Sequence, residues 1–375
     1  MHGSIAPVSE KYLAFSQKKV YTYATETVFT EEGSAMAVTI KDVARNCGMS
    51  ISTVSKVFNG YPDISEETRA QVMKAAREIG YQPNALARAL KTNRTYNLGV
   101  LFMDDRLSGL THPFFAAVLN AFKMEAESRG YDITFINHHI GDTAMTYLEH
   151  CRYRNVDGVC VANADFYTLE VAELVNSGIP CTTVDHVFNN RPCVLSDNQN
   201  GTISLVNYAC SCGHRRIAFI HGQRNSSVTE LRINGFYRGM QANGLQLPAG
   251  YVVESEYGEI GDVHDKVFRL LQRPDRPTCI LLPDDATYLG AQAAAQELGL
   301  KVPEDISFAG YDGIALTQAV RPRLTTIRQD TDTLGREAAR RLIDRVENPN
   351  TADTQPFIVS VKLLEGETVA RLEGA

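Results

Sequence analysis

The chain has 375 residues, 44% hydrophobic and 22% charged, with a formal net charge of −7. That length points to about two or three domains, and the composition is that of an ordinary folded protein, which sets aside disordered and fibrous classes. No apolar run approaches the roughly 18 residues needed to span a bilayer. The first thirty residues lack an apolar core and a small-residue cleavage site, so no secretory signal is read and a cytoplasmic location is expected.

The charge is unevenly spread. Met36 to Arg94 holds nine Lys/Arg against five Asp/Glu, a net of +4, whereas the first 35 residues carry −1 and the rest of the chain −10. A basic head on an acidic body confines attraction for phosphate to the head. Cys210 and Cys212 are close in sequence, but no His or Cys stands at zinc-like spacing from them. Most other cysteines, such as Cys160 and Cys279, lie in apolar runs, so buried reduced thiols are expected and no metal or cofactor is inferred.

Residues 1–35 show no clear period. Met36 stands directly before Ala-Val-Thr-Ile-Lys-Asp-Val-Ala, so 1–35 reads as a disordered extension or as sequence ahead of the true start. From Thr39 the apolar residues recur at helical spacing. Ile40, Val43 and Ala44 form one stripe, with Thr39 as N-cap and Asp42 in the capping-box position. Gly48 ends that helix, because glycine turns freely into a left-handed cap. Ser50 or Ser52 caps the next, whose apolar face is Val54, Val57 and Phe58; Asn59-Gly60 breaks it. Ser65 starts a third, with Val72, Ala75, Ala76 and Ile79 inward, and Gly80 ends it. Three short helices with a glycine-containing turn between the first two are the layout of a helix-turn-helix, assigned to residues 36–82. Pro83 to Leu90 reads as a short helix, marginal in isolation, followed by a linker, together residues 83–95.

After Tyr96 strand-like apolar runs alternate with amphipathic helices. The run Leu98–Phe102, Phe114–Arg129, Ile133–Ile136, Thr143–Arg154, Gly158–Val161, Leu169–Ser177, Cys181–Val184 is repeated βαβ, which requires a parallel sheet covered on both faces. A second such series runs from Gly201 to Gly310. The fold expected is a small all-α helix-turn-helix head plus an α/β ligand domain, residues 96–375, of two doubly wound parallel-sheet lobes. The first lobe takes about 96–195 plus 328–356, the second about 196–327 plus 357–375. A ligand would sit in the cleft between them, at the carboxyl ends of strands.

From about Val38 to about Glu365 the chain resembles the LacI/GalR (lactose/galactose repressor) family of bacterial transcription regulators. The resemblance is strongest over Thr39-Ile-Lys-Asp-Val-Ala44, Ser52-Thr-Val-Ser-Lys-Val-Phe-Asn-Gly60 and Gly80-Tyr-Gln-Pro-Asn-Ala-Leu-Ala-Arg-Ala-Leu90. Gly213-His-Arg-Arg-Ile-Ala-Phe-Ile220, Val302-Pro-Glu-Asp-Ile-Ser307, Gly310-Tyr-Asp312 and Leu324-Thr-Thr-Ile327 also match. The family's ligand domain is similar to periplasmic sugar-binding proteins, in agreement with the two lobes read from periodicity. The resemblance implies a repressor that binds double-stranded, pseudo-palindromic operator DNA as a homodimer and answers to a small effector, a sugar or related metabolite. Tetramers are not expected, since the tail after Glu365 is too short for a family-type zipper helix.

On this reading the second helix enters the major groove, and Ile51, Ser52 and Lys56 touch bases. Ile51 offers an apolar contact such as a thymine methyl, Ser52 a donor or acceptor, and Lys56 a charge for guanine O6/N7. Many family members have Arg where Lys56 stands, and Lys lacks the planar fork of a bidentate guanine contact. Core packing is the other role open to Ile51, and a phosphate contact the other role open to Lys56. Thr39, Ser50, Thr53, Ser55 and Asn59 are assigned to phosphate positioning or capping. By resemblance Leu90 wedges into the minor groove at the operator centre, with Asn84 and Arg88 on the flanking backbone; packing its own linker helix is the alternative. A helix this weak orders only when DNA and dimer geometry both favour it, which gives the ligand domain a lever.

In the cleft, Arg232 matches the family's sugar-hydroxyl arginine and Asp312 its aspartate; a structural ion pair is the alternative for both. Asp285 and Asp185 follow strands, and Asp284 stands where the family usually has Asn, replacing an amide donor by an acceptor. Asp104 and the Thr111–Phe115 loop end the first strand, and Phe114 can stack on a ring. Asp284, Asp285 and Asp312 have no accompanying nucleophile or metal-ligand pattern, and Gly310–Gly313 is too short for a phosphate loop, so no enzyme is read. Two other classes share features of this chain: a catabolite-control regulator governed by a phosphorylated carrier protein, and a transporter's solute-binding protein, which the Thr39–Leu90 head argues against.

Overall fold

In a computed structural model, the structure describes residues 38–82, 94–103 and 109–372. The chain divides into two units, one up to Asn84 and one from Ala85.

The first unit is three helices, α1 (Ile40–Cys47), α2 (Ile51–Phe58) and α3 (Glu66–Glu78). Thr39 N and Oγ1 both donate to the Asp42 carboxylate, at 2.9 and 2.7 Å, which satisfies the start of α1. Gly48 ends α1 at φ 69°, a conformation that any Cβ would strain. Ser50 and Ser65 each accept a backbone N–H two turn positions inside their helix. The predicted stripes meet in one core: Val43, Ala44, Val54, Val57, Val72, Ala75 and Ala76 are buried, with Ile40, Phe58 and Ile79 packed against them. The expected helix-turn-helix is present.

The second unit is two lobes, each built on a six-stranded sheet. Across the first sheet the strands run Phe357–Val359, Cys193–Ser196, Cys181–Val184, Gly158–Asn163, Asn97–Phe102 and Asp132–Ile136, all parallel. Across the second they run Lys362–Leu364, Thr325–Arg328, Ser307–Asp312, Cys279–Leu281, Ile217–His221 and Val252–Glu254; the first of these is antiparallel to its neighbour. The near-continuous burial of the inner strands, such as all five residues of Ile217–His221, is why they read as apolar runs.

The chain crosses between the lobes after Ser196, after Arg328 and after Val359. The expected boundary at 356/357 is corrected by the last crossing. Phe357–Val359 pairs with Val194–Ser196 in the first sheet, and Lys362–Leu364 is the segment that joins the second. The expected helix Thr143–Arg154 is also shorter. Thr143–Ala144 pairs antiparallel with His139–Ile140 around Gly141, and the helix starts at Tyr147 behind a Thr146/Glu149 capping box. All eight cysteines are free and all but Cys47 are buried. Burial raises the Cys181 thiol to about 12 and Cys193 to about 11, so neither is a thiolate near neutrality.

Candidate functional site

Two surfaces carry the candidate residues. On the head, Val54 and Val57 anchor α2 and turn its other face outward. Ile51 is 47% exposed, so it is not core, and Ser52 beside it is exposed. Lys56 lies one turn on, its Nζ donating to Asp63 Oδ2 at 2.6 Å. Of the residues assigned to positioning or capping, several already cap. Ser50 Oγ accepts from Thr53 N at 3.0 Å and sits 2.8 Å from Thr53 Oγ1, and the Asn59 amide donates to the Ser55 carbonyl and, at 3.2 Å, to Ser55 Oγ. Asn84, Arg88 and Leu90 lie outside the described residues, as does Asp104 of the cleft.

Between the lobes lies a cavity of about 430 Å³. Its polar centre is Arg232, on the helix Ser227–Ala242 and 6% exposed. Nε donates to Asn198 Oδ1 at 2.8 Å and Nη1 to the Pro283 carbonyl at 3.0 Å; Nη2 faces Asp312 Oδ1 at 4.0 Å. The guanidinium carbon lies 3.6 Å from the centre of the Tyr311 ring, a stacked cation–π contact out of water. These contacts fix the side chain before any ligand arrives.

Asp312 ends the strand Ser307–Asp312, at φ 113°. Burial holds its carboxyl well above the usual carboxylate range, against the pull of Arg232. Asp185, from the other lobe, sits at φ 59° just past the strand Cys181–Val184, and burial raises it to about 6. Two non-glycine residues in left-handed backbone, both acids and both at strand ends, line this one cavity. Strain of that kind persists where surrounding structure over-determines it, typically at ligand sites. Ser227 Oγ donates across the lobes to the Asp185 carbonyl at 2.8 Å.

Asp284 also lines the cavity, but both its oxygens are engaged: Oδ2 accepts from Gly258 N at 2.6 Å and Oδ1 from Thr287 N at 2.9 Å. An amide would put an NH2 donor in place of one of these two oxygens, so it cannot accept at both positions. The departure from the family's Asn is thus a loop tether. Phe114 is 6% exposed, lines the cavity and meets Phe115 edge-on at 5.1 Å.

Asp285 is a correction. It is fully buried inside the second lobe and is not part of the cavity lining. Its carboxylate accepts from Ile314 N at 3.0 Å, Thr317 Oγ1 at 2.9 Å and Thr326 Oγ1. It joins three segments of the lobe and leaves nothing for a ligand.

Other lining residues were missed. Gln329 donates from Nε2 to Asp312 Oδ1 at 2.7 Å, and the Tyr257 hydroxyl lies 2.9 Å from Thr229 Oγ1. Phe166 lines the cavity with its outer face stacked on His186, ring centres 4.4 Å apart and planes 3° apart. Gln329 directly follows a strand, the same signal that selected Asp185. Tyr257 and Phe166 sit in loops with no such signal. Among the described residues, no three His, Cys, Asp or Glu side chains gather as for a metal ion, and no helix is long and apolar enough to cross a membrane.

The two surfaces match known proteins. Residues 39–84 match the family described as bacterial regulatory proteins, lacI family, and residues 206–369 match the periplasmic binding protein-like domain. The HTH-type transcriptional repressor PurR of Haemophilus influenzae is 32% identical over 312 residues, 82% of this chain and 91% of its own. Catabolite control protein A of Priestia megaterium is 30% identical over 323 residues, 85% of this chain and 95% of its own. Among solved structures, the Lac repressor dimer bound to operator and the anti-inducer ONPF superposes with a TM-score of 0.75 at 26% identity, over 89% of this chain and all of that one. Relatives of this kind are regulators, not enzymes. With a helix-turn-helix whose recognition face is exposed and a two-lobed domain holding a preorganised cleft, the chain belongs to the LacI family and is a DNA-binding transcription repressor.

Proposed function

We propose that this repressor holds a pseudo-palindromic operator as a homodimer and that a small polyhydroxylated metabolite, a sugar first of all, sets its grip from the cleft. The observation that carries this reading is Arg232, locked by Asn198, Pro283 and Tyr311 and flanked by Asp312 and Asp185 from opposite lobes. Planar polar groups beside the rings of Phe114 and Tyr257 suit a ring bearing hydroxyls. On the head, Ile51, Ser52 and Lys56 are offered to base edges, while Thr39, Ser50, Thr53, Ser55 and Asn59 serve the phosphates and the helix ends. Asn84, Arg88 and Leu90 complete the contact at the operator centre.

A ligand that binds one lobe arrangement better than the other shifts the population toward it, and with it the geometry of the paired heads. The test is a gel shift on a palindromic operator with and without candidate sugars. Operator retained at low salt and altered by one sugar supports the reading; no retained DNA at low salt overturns it. The likeness to catabolite control protein A favours a second reading, control through a protein partner. Pull-down of a partner together with silent calorimetry against sugars would move the assignment there.

A further inference from the structure

The strand Asn97–Phe102 is held on both sides, by Asp132–Ile136 and by Gly158–Asn163. The residues just ahead of it are held as well. Asp157 accepts three hydrogen bonds from them: Thr95 N and Thr95 Oγ1 donate to Oδ1 at 2.8 and 2.9 Å, and Tyr96 N donates to Oδ2 at 2.8 Å. The Tyr96 carbonyl in turn accepts from Asp132 N at 2.8 Å. Glu347 ends the helix Thr331–Glu347, and its Oε1 faces Arg94 Nη1 at 3.5 Å. The Tyr131 hydroxyl donates to the same oxygen at 3.1 Å, and its ring meets that of Tyr96 with centres 5.3 Å apart.

Tyr96 stands at φ 56°, in left-handed backbone that a residue with a side chain rarely adopts. Such a bend persists where its surroundings over-determine it. Here the bonds at its N–H and carbonyl and the contact of its ring do so. Every partner belongs to the first lobe. Asp157 and Asp132 stand at the amino ends of strands, the opposite edge of the sheet from the cleft. The ladders that fix the first strand begin only at Asn97. What this clamp adds is a fixed course for residues 94–96, through which the chain passes on its way from the helix-turn-helix.

A tether that pivots freely lets two linked modules reach sites over a range of separations, whereas one of fixed direction favours a single separation. The half-site spacing that paired heads read is such a geometric quantity. We propose that Asp157 and Glu347 are positioning residues for operator binding: they fix the direction in which the chain leaves the first lobe toward the head, and so set the half-site spacing that a pair of heads accepts. This rests on the chain holding its operator as a homodimer.

The experiment starts from a palindromic operator selected by the full chain out of a random DNA pool. Its half-sites are then moved apart or together, one central base pair at a time, and the full chain is titrated against each duplex by fluorescence anisotropy. The parent is expected to prefer one spacing by about tenfold or more. Asp157→Asn turns an NH2 donor toward Thr95 or Tyr96, and Glu347→Gln removes the charge facing Arg94. Both should weaken the preferred spacing and spare the others, narrowing the preference to about threefold. Glu337→Gln, on the same helix but paired with Arg340, should leave the preference intact. If Asp157→Asn proves unfolded in a thermal melt, Glu347→Gln and Arg94→Gln carry the test. Variants that weaken every spacing equally, or none, overturn the inference and leave the homodimer standing. A selection that returns only single half-sites, or a parent indifferent to spacing, overturns both.

Discussion

Lys56, the one basic residue of α2, is held by Asp63, with Nζ and Oδ2 2.6 Å apart, so the cation proposed to read a base is partly neutralised in the free head. Both side chains are substantially exposed. For the proposed base contact Lys56 has to leave Asp63, whose carboxylate then loses its partner. Asp63→Asn is therefore expected to tighten operator binding, by up to about fivefold given that exposed pairs are worth about 1 kcal/mol at most. Lys56→Ala should weaken it by about 1–3 kcal/mol if the contact is to a base. Fluorescence anisotropy against salt concentration measures both. Equal affinity of Asp63→Asn and the parent would show that the pair does not restrain Lys56.

Restoring the family's usual residue at Asp284 is expected to harm this chain. Asp284→Asn turns an NH2 donor toward either Gly258 N or Thr287 N, which now meet separate oxygens. The stranded N–H should cost about 1–3 kcal/mol in denaturant unfolding. An unchanged midpoint would mean that the loop readily finds another acceptor.

Asp285 gives a pH signature. Burial raises its carboxyl to about 7, from an ordinary value of 3.8. The folded state therefore binds the proton more tightly than the unfolded state, and this group's contribution to stability increases as pH falls from 7 toward 4. His186, His214 and His221 are pushed down by burial and act oppositely below their ordinary range. The carboxyl is isolated by difference. Asp285→Asn, permanently neutral, should lose ground to the parent as pH drops from 7.5 to 5, by on the order of 2 kcal/mol. A pH-independent difference would refute the assignment.

Gly335 marks where the helix Thr331–Glu347 presses on the helix Pro113–Ser128. A Cβ there would fall 2.2 Å from the Val118 carbonyl and 2.7 Å from the Ala121 methyl. Gly335→Ala should cost about 1–3 kcal/mol through overpacking, despite its better helix propensity. Gly178→Ala, with open space around it, serves as the control and should be near neutral.

The head was legible almost entirely, because helical period, capping residues and terminal glycines coincide there within a short stretch. The two lobes were legible because strands buried on both faces leave unbroken apolar runs. The hairpin at 139–144 was not: two-residue strands carry no period, and Thr143–Ala144 reads equally well as the start of the helix that follows. The rule that strand ends bear ligand groups picked out Asp185 and Asp312, which line the cavity, but also Asp285, which does not. Sequence does not reveal that Asp285 has its carboxylate taken by Thr317 and Thr326, which lie more than thirty residues on. The same rule, applied after the strand Thr325–Arg328, would have found Gln329. Phe166 and Tyr257 came from loops whose paths are fixed by tertiary contacts alone.

The three lobe crossings lie side by side. Asp197 N donates to the Val359 carbonyl at 2.9 Å, and Lys362 pairs with Arg328. A single connecting strand would let two bodies swivel about any axis; three adjacent ones act as a leaf spring, stiff to twist and to sliding and soft to one bend. On the proposed function, what a ligand changes is then a single angle. A weak preference for one value of that angle reaches the far end of each lobe as a directed displacement, not as a diffuse loosening.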